Sequence, residues 1–275
     1  MEKIKLKKET PVIILCGGLG TRLREETEYK PKPMIEIGGK PILWHIMKIY
    51  SYYGFNNFIL ALGYKGAIIK DYFLNYKYYN SDFSIELGTN KISLYAKNGI
   101  DEKNWKVTLV DTGDQAMTGA RIKRCSDFIH TDNFSVTYGD GVSNVKLLDA
   151  FNYHIEHNKL VTMLGVNPIS RFGEMVIKKN QVIKFCEKPQ TERSYVNGGF
   201  FFMKKGFLDY LEDNDACVLE TTPLEKATSD NQVNVYKHNG FWQCMDTYRD
   251  YLHLNNMWNN NNRPWTVWKN AKASL

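Results

Sequence analysis

The chain is 275 residues long, 43% hydrophobic, and carries a formal net charge of +6, enough apolar material to bury a sizeable core and too much for a disordered segment. Its lysines and arginines are interleaved with carboxylates and form no basic block, which argues against a nucleic-acid partner and suits small anionic substrates. The five cysteines, Cys16, Cys125, Cys186, Cys217 and Cys244, have no CxxC spacing, so reduced thiols are expected. The N-terminus sets positive charges ahead of an apolar run too short for a signal peptide, and no stretch reaches the roughly 18 apolar residues of a membrane span. A cytoplasmic protein with no membrane partner is the expectation.

Residues 11–16 form a continuous apolar run bounded by Gly17, Gly18 and Gly20 and predict a buried parallel strand. Over 41–53 the residues Ile42, Leu43, Ile46, Ile49 and Tyr50 recur at helical spacing, with Pro41 suited to a first turn and Gly54 to the left-handed cap. Residues 58–62 predict a strand and 66–76 a helix. Further strands are expected at 106–111, 134–139 and 161–166, with helices near 120–129 and 145–158 between them. This alternation implies right-handed βαβ crossovers, hence an α/β fold with a mostly parallel, Rossmann-like sheet flanked by helices. Two short runs, 84–87 and 92–96, read as an inserted hairpin or lid, and 174–178 with 182–187 as a second hairpin. After a strand at 199–203 the pattern is mixed and ends in a helix at 247–257. A single domain over 1–275 is expected, with a nucleotide-binding half (11–140), then a sugar-phosphate-binding half and C-terminal extension (141–275).

The strongest local signal is Gly17-Gly18-Leu19-Gly20-Thr21-Arg22 directly after the first strand. Such a loop brings backbone N–H groups onto phosphate oxygens, and Arg22 adds a permanently charged fork suited to a triphosphate. Leu23 stands where a GxGxxG dinucleotide loop would need its last glycine, and the Gly-Lys-Ser/Thr of a P-loop is absent. In Lys30-Pro31-Lys32-Pro33 two prolines hold Lys32 on a stiff, extended segment from which it reaches back toward the loop. Asp140, in Tyr138-Gly139-Asp140-Gly141 at a strand end, lies where open parallel sheets bind ligands. On the residues alone, a turn residue at Asp140 and a helix cap at Asp246 remain open readings. His154 and His157 lack a third metal ligand, so solvated helix surface is expected there.

These motifs, taken in order, resemble the sugar nucleotidyltransferases, and within them the branch that uses CTP and glucose 1-phosphate. The match runs from Gly-Gly-Leu-Gly-Thr-Arg-Leu through Lys-Pro-Lys-Pro-Met and Ile-Gly-Gly-Lys-Pro-Ile, then Val110-Asp111-Thr112-Gly113, Met117-Thr118-Gly119 and Tyr138-Gly139-Asp140-Gly141. It continues through Glu187-Lys188-Pro189, Asn197-Gly198-Gly199-Phe200 and the segment from Gly240-Phe241-Trp242 to Met245-Asp246-Thr247. The resemblance implies transfer of the cytidylyl group of CTP to α-D-glucose 1-phosphate, forming CDP-glucose and pyrophosphate. It assigns Arg22 and Lys32 to the triphosphate and the leaving pyrophosphate, and Asp140 and Asp246 to Mg²⁺. It places Leu15, Cys16, Gly17, Gly18, Leu19, Gly20, Thr21, Thr112, Met117, Thr118, Arg121 and Gly139 near the nucleotide, and Glu187, Lys188, Asn197 and Gly198 at the sugar phosphate. Where related hexose transferases carry a proline two residues after the loop leucine, this chain has Arg24-Glu25-Glu26, itself a feature of the CTP-using branch.

Two rival readings stay open: the same fold using UTP or dTTP or another sugar 1-phosphate, and a non-catalytic sugar-nucleotide-binding regulator. Joint retention of Arg22, Lys32, Asp140 and Asp246 speaks against the second. The tyrosine-rich stretch 72–79 and the hairpin after it are candidates for self-association into a homo-oligomer, and equally for core packing or a substrate lid.

Overall fold

The computed structural model describes residues 9–18, 20, 23, 27–95, 102–168, 174–186 and 195–269. The chain enters through β1 (Pro11–Leu15), makes a small ribbon of β2 (Glu36–Ile37) and β3 (Lys40–Pro41), and then forms α1 (Ile42–Tyr52) and β4 (Asn57–Leu62). Next come α2 (Gly66–Leu74), α3 (Tyr76–Tyr79), the hairpin of β5 (Asp82–Glu86) and β6 (Lys91–Tyr95), and β7 (Lys106–Asp111). Helix α4 (Thr118–Arg124) leads to β8 (Asn133–Tyr138), β9 (Gly141–Ser143), α5 (Leu147–His157) and β10 (Val161–Val166). A second hairpin, β11 (Glu174–Lys178) and β12 (Gln181–Cys186), precedes β13 (Val196–Lys204), α6 (Thr222–Ser229), β14 (Val233–His238), β15 (Trp242–Cys244) and α7 (Tyr248–Asn259).

Seven strands form one sheet in the order β14-β10-β13-β8-β1-β4-β7. β1 lies parallel to both β4 and β8, β4 is parallel to β7, and β10 is parallel to β14. β13 runs antiparallel to both its neighbours, β8 and β10, so the sheet is mostly parallel with one reversed strand inside it. The apolar runs are continuous because both faces are covered: Val12 and Ile14 belong to one buried cluster and Ile13 to the other, the period-two signature of a strand between two helical layers. α1, α5 and α7 supply the first layer, with Ile46, Phe151 and Leu254 fully or almost fully buried. α4 and α6 supply the second, with Ile122 and Leu224 buried.

Several expectations need correction. The helix foreseen over 66–76 breaks at Asn75 and resumes as α3, and the one foreseen over 120–129 is α4 followed by the 3-10 turn Ser126–Phe128. The stretch read as mixed contains α6, the sheet strand β14 and the short strand β15. Lys32 does not ride on an extended segment: it opens the 3-10 turn Lys32–Met34, with Met34 N–H donating to Pro31 O at 2.8 Å. Pro31 fixes the turn's entry at φ −66°, because its ring admits little else. His154 is fully buried rather than solvated: its Nδ1 and the Nε2 of His157 both meet Thr162 Oγ1, at 2.8 and 2.6 Å. The α5 face that carries both histidines therefore rests on β10.

Candidate active site

From β1 the chain goes outward to β4 and β7 and then returns to β8 on the other side of β1. This reversal leaves a crevice beyond the carboxyl ends of β1 and β8, the switch point at which open α/β sheets hold ligands. A cavity of about 380 Å³ occupies it. One wall is the glycine loop, with Leu15, Cys16, Gly17, Gly18 and Gly20. The opposite wall carries Tyr138, Gly139 and Asp140, and α4 contributes Met117, Thr118 and Arg121. Lys32, Pro33 and Asp246 close the rest of the rim. Leu19, Thr21, Arg22, Glu187 and Lys188 lie outside the described residues.

Lys32 is the centre of charge in this cavity. Its Nζ donates to Asp140 Oδ2 at 2.6 Å and to Asp246 Oδ1 at 2.7 Å, with the lysine 14% exposed and each aspartate 25% exposed. Burial alone would lower the lysine pKa, but Asp140 and then Asp246 outweigh it and raise the value above the usual 10.5, so the ammonium stays charged at neutral pH. The two carboxylates meet because β15 pairs with β9, setting Cys244 opposite Gly141, and because Met245 N–H donates to Asp140 O at 2.8 Å. Asp246 is not a helix cap. Thr247 caps α7, in a reciprocal box with Asp250, and the Asp246 side chain lines the cavity.

Two glycines are required by close approach. A Cβ at Gly139 would lie 2.6 Å from Leu15 O and 3.0 Å from Pro33 Cγ, and one at Gly17 would lie 2.1 Å from the Arg121 guanidinium. Arg121 is 4% exposed. It donates to the carbonyls of Leu62, Gly113 and Gly17 at 3.0, 2.8 and 2.9 Å, and to Thr112 Oγ1 at 2.7 Å. The guanidinium fork thus ties together the ends of β1, β4 and β7, a geometry that lysine cannot reproduce. Burial pushes the Cys16 thiol well above its usual pKa, so this cavity-lining cysteine is a spacer rather than a nucleophile. All five cysteines are unpaired with one another.

Residues 11–261 match the sequence family described as Nucleotidyl transferase. The glucose-1-phosphate cytidylyltransferase of Salmonella typhimurium is 45% identical over 258 residues, covering 94% of this chain and 99% of that protein. The chain belongs to the nucleotidyl transferase family. The nucleotidyl transferase fold is also found in HddC from Yersinia pseudotuberculosis (TM-score 0.66, 23% identity, 90% of this chain and 99% of that one). It recurs in a UDP-glucose pyrophosphorylase crystallised with UDP-glucose (TM-score 0.66, 15% identity, 92% and 99%).

Within this nucleotidyl transferase three residues expected at the site stand behind the cavity wall. Thr112 is 1% exposed and its hydroxyl donates to Leu62 O at 2.6 Å. Asn197 donates to Tyr138 Oη at 3.0 Å and accepts from Gly199 N–H at 2.8 Å. Gly198 accepts from Trp242 Nε1 at 2.8 Å. Conversely, Tyr138, Pro33 and Ala116 line the cavity beyond the residues expected from sequence. Tyr138 and Pro33 sit inside recognised motifs and were in reach of such a reading, whereas Ala116 carries no local signal.

Proposed function

We propose that the chain transfers the cytidylyl group of CTP to α-D-glucose 1-phosphate, forming CDP-glucose and pyrophosphate. The convergence of Lys32, Asp140 and Asp246 in one cavity carries the chemistry of this reading. The near-full-length likeness to the Salmonella cytidylyltransferase supports the choice of substrates.

In this reaction an oxygen of the sugar phosphate attacks the α-phosphorus of CTP in line, and the bond to the β-phosphate breaks as pyrophosphate leaves. The attacking phosphate is already ionised, so no general base is needed. The barrier lies in bringing two anions together and in charge that builds on the transferring group, so positioning and electrostatics dominate. Lys32 supplies positive charge on the pyrophosphate side, and by resemblance Arg22 is its partner there. The backbone of the glycine loop and α4 border the nucleotide, while Glu187 and Lys188, again by resemblance, receive the sugar phosphate.

Asp140 and Asp246 fit a hard divalent cation. Together they offer hard oxygen donors at one point, as Mg²⁺ prefers when phosphates and water complete its shell. No group of three or more metal-ligating side chains occurs among the described residues, which suits a cation that arrives with its substrate better than a permanent protein cage. Bound by these carboxylates, Mg²⁺ would supply Lewis-acid neutralisation of phosphate charge. Lys32 already donates to both carboxylates, so ammonium and divalent cation share the same acceptors.

Nucleotide and sugar-phosphate substrates support a cytoplasmic location. Separately, no described helix is long and apolar enough to cross a membrane. Self-association is supported by the β5–β6 hairpin, which exposes Phe83, Ile85 and Leu94. The deciding experiment is a pyrophosphate-release assay crossing four nucleoside triphosphates with several sugar 1-phosphates. We expect the CTP and glucose 1-phosphate pair to lead, with CTP preferred over UTP by about tenfold or more because buried groups matched to one base leave the other poorly paired. Equal kcat/KM for CTP and UTP would remove the assignment of the base, and turnover with no pair would leave the non-catalytic reading.

A further inference from the structure

Glu220 lies in the segment between the 3-10 turn Lys205–Tyr210 and α6, in a stretch that carries no motif. Its Oε2 accepts the Thr118 hydroxyl at 2.7 Å, and its Oε1 accepts the Tyr138 phenol. Each donor is held from its other side as well: Thr118 Oγ1 accepts Leu219 N–H at 2.9 Å, and Tyr138 Oη accepts Asn197 Nδ2 at 3.0 Å. Thr118 and Tyr138 line the cavity, whereas Glu220 stands outside its lining.

The same segment docks onto the start of α4. Asp215 O accepts Met117 N–H at 2.9 Å, and Cys217 O accepts Gly119 N–H at 2.9 Å and Ala120 N–H at 3.1 Å. Three N–H donors at the start of α4 are thus taken up by this segment, whose Glu220 reaches the cavity-lining Thr118 and Tyr138.

We propose that Glu220 is a positioning residue for the transfer reaction, one that locks the nucleotide-side wall at Thr118 to the opposite wall at Tyr138, itself held from behind by Asn197. This role rests on the two-substrate reaction proposed above. An ionised carboxylate only accepts hydrogen bonds, so both hydroxyls must point their protons at it, and the orientations of Thr118 and Tyr138 are set together. The Tyr138 ring is wedged against Gly199, where a Cβ would come within 2.5 Å of it, and meets Phe201 edge-on at 6.0 Å. Because Tyr138 precedes Gly139 and Asp140 in the chain, its displacement would carry Asp140 with it.

A glutamine at this position has one acceptor oxygen, so whichever hydroxyl faces its NH₂ loses its acceptor. The test compares the full-length wild type with Glu220→Gln, Tyr138→Phe and the double variant, measuring kcat, the KM of each substrate and the melting temperature. We expect Glu220→Gln to lower kcat/KM for both CTP and glucose 1-phosphate by about tenfold or more, with both KM values raised by a residue that lines neither pocket wall. In the Tyr138→Phe background the same substitution should cost far less than tenfold, since the shared hydrogen bond is already gone. Should Glu220→Gln fail to fold, Glu220→Asp, which keeps the charge but cannot span both hydroxyls, is expected to show the same pattern in weaker form. Unchanged KM values with kcat reduced only in proportion to the folded fraction would overturn the proposal, as would independent, multiplicative effects of the two substitutions. A wild-type chain that turns over no triphosphate with any sugar phosphate would overturn the reaction itself and this role with it; an active wild type with a normal Glu220→Gln variant would overturn the role alone.

Discussion

Replacing Lys32 by methionine keeps the length of the stem and removes only the charge. In the folded protein the ammonium makes two charge-assisted bonds, 2.6 and 2.7 Å long and largely shielded from water, of a kind worth about 1.5–3 kcal/mol each. To meet the leaving pyrophosphate it must loosen at least one of them, so its net gain in the transition state is smaller than its gross attraction for phosphate. Loss of a single preorganised donor to developing charge costs about 10²–10³ in turnover. With the exchange deducted, Lys32→Met is expected to lower kcat about 10²-fold, or about 2.7 kcal/mol, with little change in the KM for glucose 1-phosphate. A second consequence has the opposite sign. Without the ammonium, Asp140 and Asp246 face each other with no counter-charge from Lys32, so they should hold a divalent cation more tightly, and half-saturating Mg²⁺ should fall about tenfold, close to 1.4 kcal/mol. Pyrophosphate release titrated with Mg²⁺ at saturating CTP reads both effects. A kcat within about threefold of wild type would remove Lys32 from the leaving group, and an unchanged or higher Mg²⁺ requirement would show that lysine and metal do not share these carboxylates.

Three further outcomes are expected. Chelation should abolish activity and Mg²⁺ restore it; Asp140→Asn and Asp246→Asn should each lower kcat strongly, with the double variant little worse than either because they serve one ion, and full activity in chelator would exclude the metal. Arg121→Lys should lower stability by about 2–4 kcal/mol, since several buried acceptors lose their donor, and thermal unfolding within a degree of wild type would contradict its role in tying three strands. Stability should also fall in acid. His45 is held neutral, with Nε2 at 2.9 Å from Ile37 O and Nδ1 accepting from Trp265 Nε1 at 3.3 Å, and burial lowers its pKa from 6.5 to about 4, while that of buried His154 falls to about 3. The unfolded chain therefore takes up protons first as pH drops below 6.5, and stability declines from there toward pH 4, by about 2 kcal/mol for His45 at pH 5. Urea unfolding at pH 7 and pH 5 reads the difference, and a flat profile, or an unchanged slope in a His45→Gln variant, would count against it.

Local sequence made much of the first half legible. The run ending at Leu15 is apolar at every position because both faces of β1 are buried, and Gly17 after it stands where the Arg121 guanidinium comes too close for a Cβ. The hairpin at β5 and β6 showed itself through short β-rich runs around Gly88-Thr89-Asn90. Harder to see were β14, whose Val-Asn-Val-Tyr-Lys-His alternation lies in a polar stretch, and the reversal of β13, since an apolar run has no direction until its partners are known. The burial of His154 is hidden for a related reason: a histidine on α5 is solvated or buried according to how the helix rolls on β10, and only the packed sheet decides that.

The sequence by itself determined the α/β class, the glycine loop and the chemical types at the site, because backbone preference, hydrophobic period and side-chain charge are written residue by residue. Tertiary structure alone decided that Lys32 meets one carboxylate 108 residues away and another 214 residues away, that Arg121 in the cavity wall ties three strand ends together, and that Glu220 braces the cavity from behind. Those pairings depend on the return of the chain to β8 and on the β9–β15 ribbon. They are long-range contacts whose geometry comes from packing two helical layers on one sheet, and no window of neighbouring residues contains it.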